Sequence, residues 1–184
     1  MNIKAIETVY NGYRFRSRLE ARWAVFFDAI GISYEYEPEG FELSDGTMYL
    51  PDFYLKQCKT WFEVKGVMSK EDKHKTEQFI FDTKMPLAIG NADFTFCSPI
   101  MHFGDCIGID EPTNSYLARC YSCGETYFIG ESASYECTCC EFYDGNCTFD
   151  CLSIGDKPFE AFDDNVKNAF LKAKQARFEH GESG

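Results

Sequence analysis

The alternation of apolar and polar positions divides the chain into helices and strands. Residues 17–30 place Leu19, Trp23, Phe26, Phe27 and Ile30 three or four apart, the stripe of an amphipathic helix. Ser17 followed by Glu20 is a capping-box pair at its start, and Gly31 ends it. ISYEYEP (32–38) alternates, with Ile32, Tyr34 and Tyr36 on one face and Glu35 and Glu37 on the other. MYLPDFYLKQCKTWFEVKG (48–66) predicts two short strands joined by a polar turn. Tyr49, Phe53 and Leu55 supply the β-forming character of the first arm, and Trp61, Phe62 and Val64 that of the second. Period 2 turns Phe62 and Val64 to one face and Glu63 and Lys65 to the other. Exchanging Glu63 or Lys65 is therefore expected to leave folding almost untouched.

Ser69 opens a second helix through about residue 82, with Glu71 and Asp72 in its first turn, where the helix dipole favours acids. Its apolar stripe is thin, essentially Phe79 and Ile80. Residues 87–89 and 94–97 predict two further strands, and ETVYNGY a strand with a turn at Asn11-Gly12. Gly40 to Gly46 is expected to be a connection that turns at Asp45-Gly46. The order helix, strand, hairpin, helix, strand, strand gives an α/β (α+β) fold with a mixed central sheet and flanking helices. GDCIGIDEPTNS (104–115) is a plausible boundary, dividing the chain into a core (1–112), a cysteine-rich module (113–155) and a C-terminal helical segment (156–184). That helix runs from Asp163 or Asp164 to about Phe178. Val166, Ala169, Phe170 and Ala173 share one face, and Lys167, Lys172, Lys174 and Arg177 decorate the rest. A solvated basic face on a helix packed back on the core is preferred over a DNA-contacting helix.

Composition changes the picture in three ways. With 45% hydrophobic residues in 184, a substantial core is available and wholesale disorder is excluded. No apolar run approaches the roughly 20 residues that span a bilayer, and no secretory leader is visible, which predicts a soluble cytoplasmic protein, in the host cytoplasm if its source is viral. The net charge of −12 counts against nucleic-acid binding. The bases are segregated, however: Arg14, Arg16, Arg18 and Arg22 cluster around the first helix, and Lys70, Lys73 and Lys75 follow the second arm of the hairpin. No membrane contact and no small-molecule cofactor are expected.

Ten cysteines form the third signal, seven of them between Cys120 and Cys151. Without an export signal they read as metal ligands before disulfides. Cys120 and Cys123, then thirteen residues, then Cys137 and Cys140 make a CxxC…CxxC pair suited to tetrahedral Zn²⁺. The arrangement resembles a zinc ribbon, with Gly124 after the first knuckle. Cys139 is an alternative to Cys140, and any of Cys139, Cys147 and Cys151 could substitute as a ligand, pair in a disulfide or join a second site.

The hairpin carries the second candidate chemistry. Asp52 lies on the arm facing Glu63, and two carboxylates with an ammonium on one face suit a hard divalent cation and a water. Taken alone, the plainer reading is a strand start at Pro51-Asp52 and an exposed Glu63/Lys65 face. Pro51-Asp52, ten residues, then Glu63-Val64-Lys65 resembles the PD-(D/E)xK nuclease superfamily. The Glu20 helix before the hairpin and the helix and strand after it extend the resemblance over roughly residues 13–98. It is similar to small phage-encoded nucleases of junction-resolvase type. The resemblance implies a restriction-endonuclease-like core with Mg²⁺ or Mn²⁺ on Asp52, Glu63 and the Val64 carbonyl. Glu20 would act directly, through a water or on a second metal, unless it serves only as a helix cap. Lys65 would orient the water or stabilise developing charge. Arg14, Arg16, Arg18, Lys70 and Lys73 would meet DNA, and homodimerisation is left open. The expected activity is metal-dependent hydrolysis of DNA, branched or single-stranded DNA included. The alternatives are a catalytically silent binding protein of the same fold, an acidic DNA mimic or inhibitor of a host protein, and a structural replication or packaging accessory. His74, His102 and His180 are expected to be surface or satisfied histidines.

Overall fold

The computed structural model describes residues 6–57, 59–92, 96–98, 113–114, 116–120, 122–129, 140–141, 149–154 and 163–178. A short hairpin, β1 (Thr8–Tyr10) and β2 (Tyr13–Phe15), turns at Asn11-Gly12, both at positive φ. Helix α1 (Arg18–Ile30) follows, capped by the Ser17 hydroxyl, which accepts the Glu20 N–H, and closed by Gly31 at φ 76°. After it come β3 (Tyr34–Tyr36), β4 (Phe41–Glu42), β5 (Met48–Tyr49), β6 (Phe53–Leu55) and β7 (Thr60–Val64). Helix α2 (Lys70–Thr83) starts with a complete capping box, Ser69 with Asp72. The chain continues through β8 (Leu87–Gly90), β9 (Phe96–Ser98), β10 (Thr113–Asn114), β11 (Tyr116–Cys120), β12 (Thr126–Ile129) and β13 (Phe149–Ile154) to helix α3 (Asp164–Gln175).

The central sheet has six strands in the order β10-β9-β8-β7-β6-β3. It is mixed: β7 and β8 run parallel and its other pairs antiparallel. A parallel pair needs a crossover, and α2 supplies it. The two faces of β7 enter different cores. Phe62 and Val64 pack with Phe53, Leu55 and Ala88 against α1, through Trp23, Phe26 and Phe27. Trp61 packs with Leu87, Leu43 and Tyr49 against Phe79 of α2. The fold is therefore mixed α+β, with both faces of the sheet covered.

Helix α1 is buried more widely than its stripe predicts, because α3 covers its back. Phe170 stacks on Phe26 at 4.3 Å between ring centroids, and Val166, Ala169 and Ala173 are buried with it. The basic side chains of α3 lie on its outer faces, as the pattern predicts. Residues 113–114 extend the central sheet, and Leu117 belongs to the main core, so chain after position 112 contributes to that core. A three-stranded antiparallel sheet, β12-β11-β13, forms beside it.

One local expectation is corrected. The first arm of the 48–66 hairpin is not one strand: β5 pairs with β4, and only β6 pairs with β7. Pro51, between them, has no N–H to give a ladder, and the chain changes sheet there. The strand expected at 94–97 is described at Phe96–Ser98, and residues 94 and 95 lie outside the described residues. Among the described residues no helix is long and apolar enough to cross a membrane.

Candidate active site

The register of β6 on β7 builds the site. Phe53 pairs with Phe62, so one step further Asp52 stands opposite Glu63. Both side chains are buried, at 3% and 2% exposure. The Val64 N–H donates to Asp52 Oδ2 at 2.7 Å, and Arg16 Nη2 donates to Asp52 Oδ1 at 2.8 Å. Glu63 is held on both oxygens as well: Lys65 Nζ lies 2.8 Å from Oε1, and the Tyr49 hydroxyl donates to Oε2 at 3.0 Å. Lys65 also meets Asp72 Oδ1 at 3.2 Å, which ties it to the capping box of α2.

Glu20 is bound at the start of α1 through both oxygens. Ser17 Oγ donates to its Oε1 at 2.6 Å, as a cap residue would allow. Its Oε2 accepts from the Arg16 N–H at 3.0 Å and from the Tyr36 hydroxyl at 2.6 Å. The Arg16 N–H directly precedes the cap, so this oxygen also serves the helix start, while Tyr36 ties it to β3; Glu20 is 7% exposed.

The electrostatics follow from packing acids together out of water. Burial, then the charges of Glu63 and Glu20, hold the Asp52 carboxyl well above the ordinary carboxylate range, against the opposing pull of Val64 N–H and Arg16. Burial and Glu63 push the Tyr49 hydroxyl up, so it stays a donor. Burial and the Glu20 hydrogen bond do the same to Tyr36. Burial works against the Lys65 ammonium, but Glu63 and Asp72 outweigh it and keep Lys65 charged. The same balance, through Tyr36, Asp52 and Glu37, keeps Arg16 a cation.

Buried charges persist only when compensated. Here Glu20, Asp52 and Glu63 are buried, Glu37 and Asp72 stand at the rim, and the cations in contact with them are Arg16 and Lys65. The donor set is all oxygen and carries excess negative charge, which fits a hard divalent cation. Among the described residues the carboxylates do not close to within 4.8 Å as a trio; only a group of thiols does. The guanidinium on Asp52 and the ammonium on Glu63 draw the two carboxylates to separate partners. Arg16 is 56% exposed, so it can leave Asp52 without unpacking the core.

The residues expected to meet DNA lie on β2, at the start of α1 and at the start of α2. Arg16 is within the site and pairs with Glu37 at 2.5 Å. Arg14 is exposed, 3.6 Å from Glu7. Arg18 begins α1. Lys70 begins α2, and Lys73 lies one turn on, 3.6 Å from Glu77. His74 pairs with Asp45 at 2.9 Å. Sequence reasoning missed Tyr36, Tyr49 and Asp72. The signal for Asp72 was present, three residues after Ser69; the two tyrosines looked like strand formers.

Cys120, Cys123 and Cys140 bring three sulfurs within 4.8 Å of one another. Cys120 ends β11, and the turn into β12 has the form of a metal knuckle. The Ser122 N–H points at Cys120 Sγ at 3.4 Å, the Gly124 N–H donates to the Cys120 carbonyl at 3.0 Å, and Gly124 takes φ 76°. The Cys120 and Cys140 sulfurs are 3.8 Å apart. A tetrahedron of thiolates at about 2.3 Å from Zn²⁺ has edges of about 3.8 Å. This trio can bind a metal such as zinc. Cys137, Cys139 and Cys147 lie outside the described residues, as do His102 and His180.

No family model matches the chain, and no curated protein matches it.

Proposed function

We propose that the chain is a metal-dependent DNA nuclease of PD-(D/E)xK type, with a restriction-endonuclease-like core and a structural zinc module. The observation that carries this reading is the pairing of buried Asp52 opposite buried Glu63, with Lys65 on Glu63 and Glu20 behind Asp52. Burying that set against so few cations weakens the middle of the sheet, and a site that seeks a cation explains it. Asp52 and Glu63 would hold Mg²⁺ or Mn²⁺, with Glu20 and the Val64 carbonyl as further oxygens. The bound metal supplies Lewis acidity, lowering the pKa of a water and polarising the phosphate.

The chain's own groups do the rest. Lys65, held by Glu63 and Asp72, presents a compact positive charge to the phosphoryl oxygens as negative charge develops. Tyr49 and Tyr36 each hold one oxygen, Oε2 of Glu63 and of Glu20, so neither carboxylate turns away when a substrate arrives. Cys137 would complete the zinc set begun by Cys120, Cys123 and Cys140. Branched or single-stranded DNA is the substrate class, and cleavage of a four-way junction would need a second copy of the chain.

The net charge of −12 favours a second reading, an acidic binding protein of the same fold. The test is cleavage of supercoiled, linear, single-stranded and four-way DNA with added Mg²⁺ or Mn²⁺, with Glu63→Ala as the control. Cleavage by the wild type alone supports the nuclease. No cleavage of any substrate removes it and leaves the binding protein.

A further inference from the structure

Helix α1 turns about 100° per residue, so Arg22 leaves it about 200° round from Glu20, away from the carboxylate cluster. It lines an open cavity of about 450 Å³ with Lys174, Gln175, Ala176 and Arg177, at the end of α3 and just beyond. Three cations and an amide converge there, and none of these residues is acidic, in a chain with 30 acids. Arg22 is half-buried, and its Nε is buried with no hydrogen-bond partner among the described residues. The Nε is closed to solvent, so an anion in the cavity meets Arg22 through its terminal nitrogens, and its charge offsets the cost of the half-buried guanidinium. Its planar fork matches the oxygens of a phosphate.

We infer that this cavity is a phosphate site, and that its occupant is a backbone phosphate of a nucleic-acid strand. The inference rests on the nuclease reading for its ligand. The volume exceeds what one phosphate needs and leaves room for flanking sugars. Because the site lies behind α1, it holds a stretch of strand other than the one being cut. It also gives a net-acidic protein a local cationic foothold on a polyanion.

The rival account is structural: Arg22 only offsets the carbonyls at the end of α3, where cations are favourable. Two measurements on the full chain separate them. The first is DNA affinity by fluorescence anisotropy, without added divalent metal, for wild type, Arg22→Gln and Arg177→Gln over a range of salt. The site predicts about tenfold weaker binding for each variant and a log–log salt slope smaller by about 1. The second is thermal unfolding with and without inorganic phosphate. The site predicts that phosphate raises the wild-type Tm but not that of Arg22→Gln, and that without phosphate the variant melts no lower than wild type.

Unchanged DNA affinity in Arg22→Gln, with wild type binding well, overturns the site and leaves the nuclease reading standing. A lower Tm for Arg22→Gln without phosphate, together with no phosphate effect on wild type, overturns it in favour of the structural account. If wild type binds no DNA, the strand as occupant falls, and the metal-dependent nuclease reading is decided by the cleavage test. An Arg22-dependent phosphate shift then keeps the cavity as a site for a small phosphorylated ligand, and no shift removes it.

Discussion

Replacing Lys65 with Met tests the candidate site through stability as well as activity. Lys65 Nζ lies 2.8 Å from Glu63 Oε1 and 3.2 Å from Asp72 Oδ1. Glu63 is 2% exposed and would keep only the Tyr49 hydroxyl at 3.0 Å. Removing one partner of a buried pair costs about 3–5 kcal/mol. The remaining tyrosine bond and the 30% exposure of Lys65 place this case at the lower end, about 3 kcal/mol. For a chain of this size that is a fall in Tm of roughly 6–12 °C in metal-free buffer. The same deletion removes a positive charge that repels a divalent cation, so Mn²⁺ should bind more tightly than in wild type. At a hundredfold excess over Kd it returns about 2.7 kcal/mol, most of the loss. Cleavage stays down by roughly 10²–10³, the scale of one preorganised donor. Glu63→Gln should behave oppositely: weak Mn²⁺ binding, no recovery of Tm with metal, and no cleavage. Calorimetric titration with Mn²⁺, melts with and without it, and plasmid cleavage make the comparison. Lys65→Met melting with wild type in metal-free buffer and gaining nothing in Mn²⁺ affinity would refute the coupling of Lys65 to Glu63. Wild-type cleavage by that variant would remove Lys65 from the chemistry.

Three further outcomes are expected. The folded protein binds the Asp52 proton more tightly than the unfolded chain does, since burial, Glu63 and Glu20 raise that carboxyl above its ordinary 3.8. The metal-free stability this group confers therefore falls as pH rises from 3.8 through the folded value, and Asp52→Asn should remove the fall and exceed wild type at pH 7. Urea melts between about pH 4 and 8 check this, and parallel profiles for the two proteins would contradict it. Cys140→Ser should lose bound zinc by elemental analysis while Cys139→Ser keeps it, because Cys140 joins the thiol group; retention of zinc by Cys140→Ser defeats that assignment. Gly90→Ala puts a Cβ 2.5 Å from Phe62 Cζ and 2.6 Å from the Trp23 ring, and should cost about 1–3 kcal/mol or more. Its carbonyl accepts the Lys65 N–H at 2.9 Å, so metal affinity should weaken too, and an unchanged Tm would show that the rings make room.

Much of the scaffold was legible in the sequence because its signals are local. The Ser17 cap, the Gly31 stop and the Trp23, Phe26, Phe27 stripe settle α1 within a few residues of one another, as Ser69 and Asp72 settle the start of α2. Alternation in β7 separated Phe62 and Val64 from Glu63 and Lys65. The CxxC spacing with Gly124 marked the knuckle for the same reason. The polar face of β7 was expected to be exchangeable without cost to folding, but Glu63 is buried there. It is buried by β5 and α2, which reach it from elsewhere in the chain, through Tyr49 14 residues before Glu63 and through Asp72. The break at Pro51 was visible as a residue but not as a change of sheet, since which strand β5 pairs with is decided by packing around Phe41 and Trp61. The contacts that make a site are longer still: Arg16 reaches Asp52 across 36 residues, and Tyr36 reaches Glu20 across 16. Residue type alone does not decide whether an arginine faces solvent or a buried carboxylate. Sheet register and the docking of α1 decide it, because together they set which charges share a low-dielectric space.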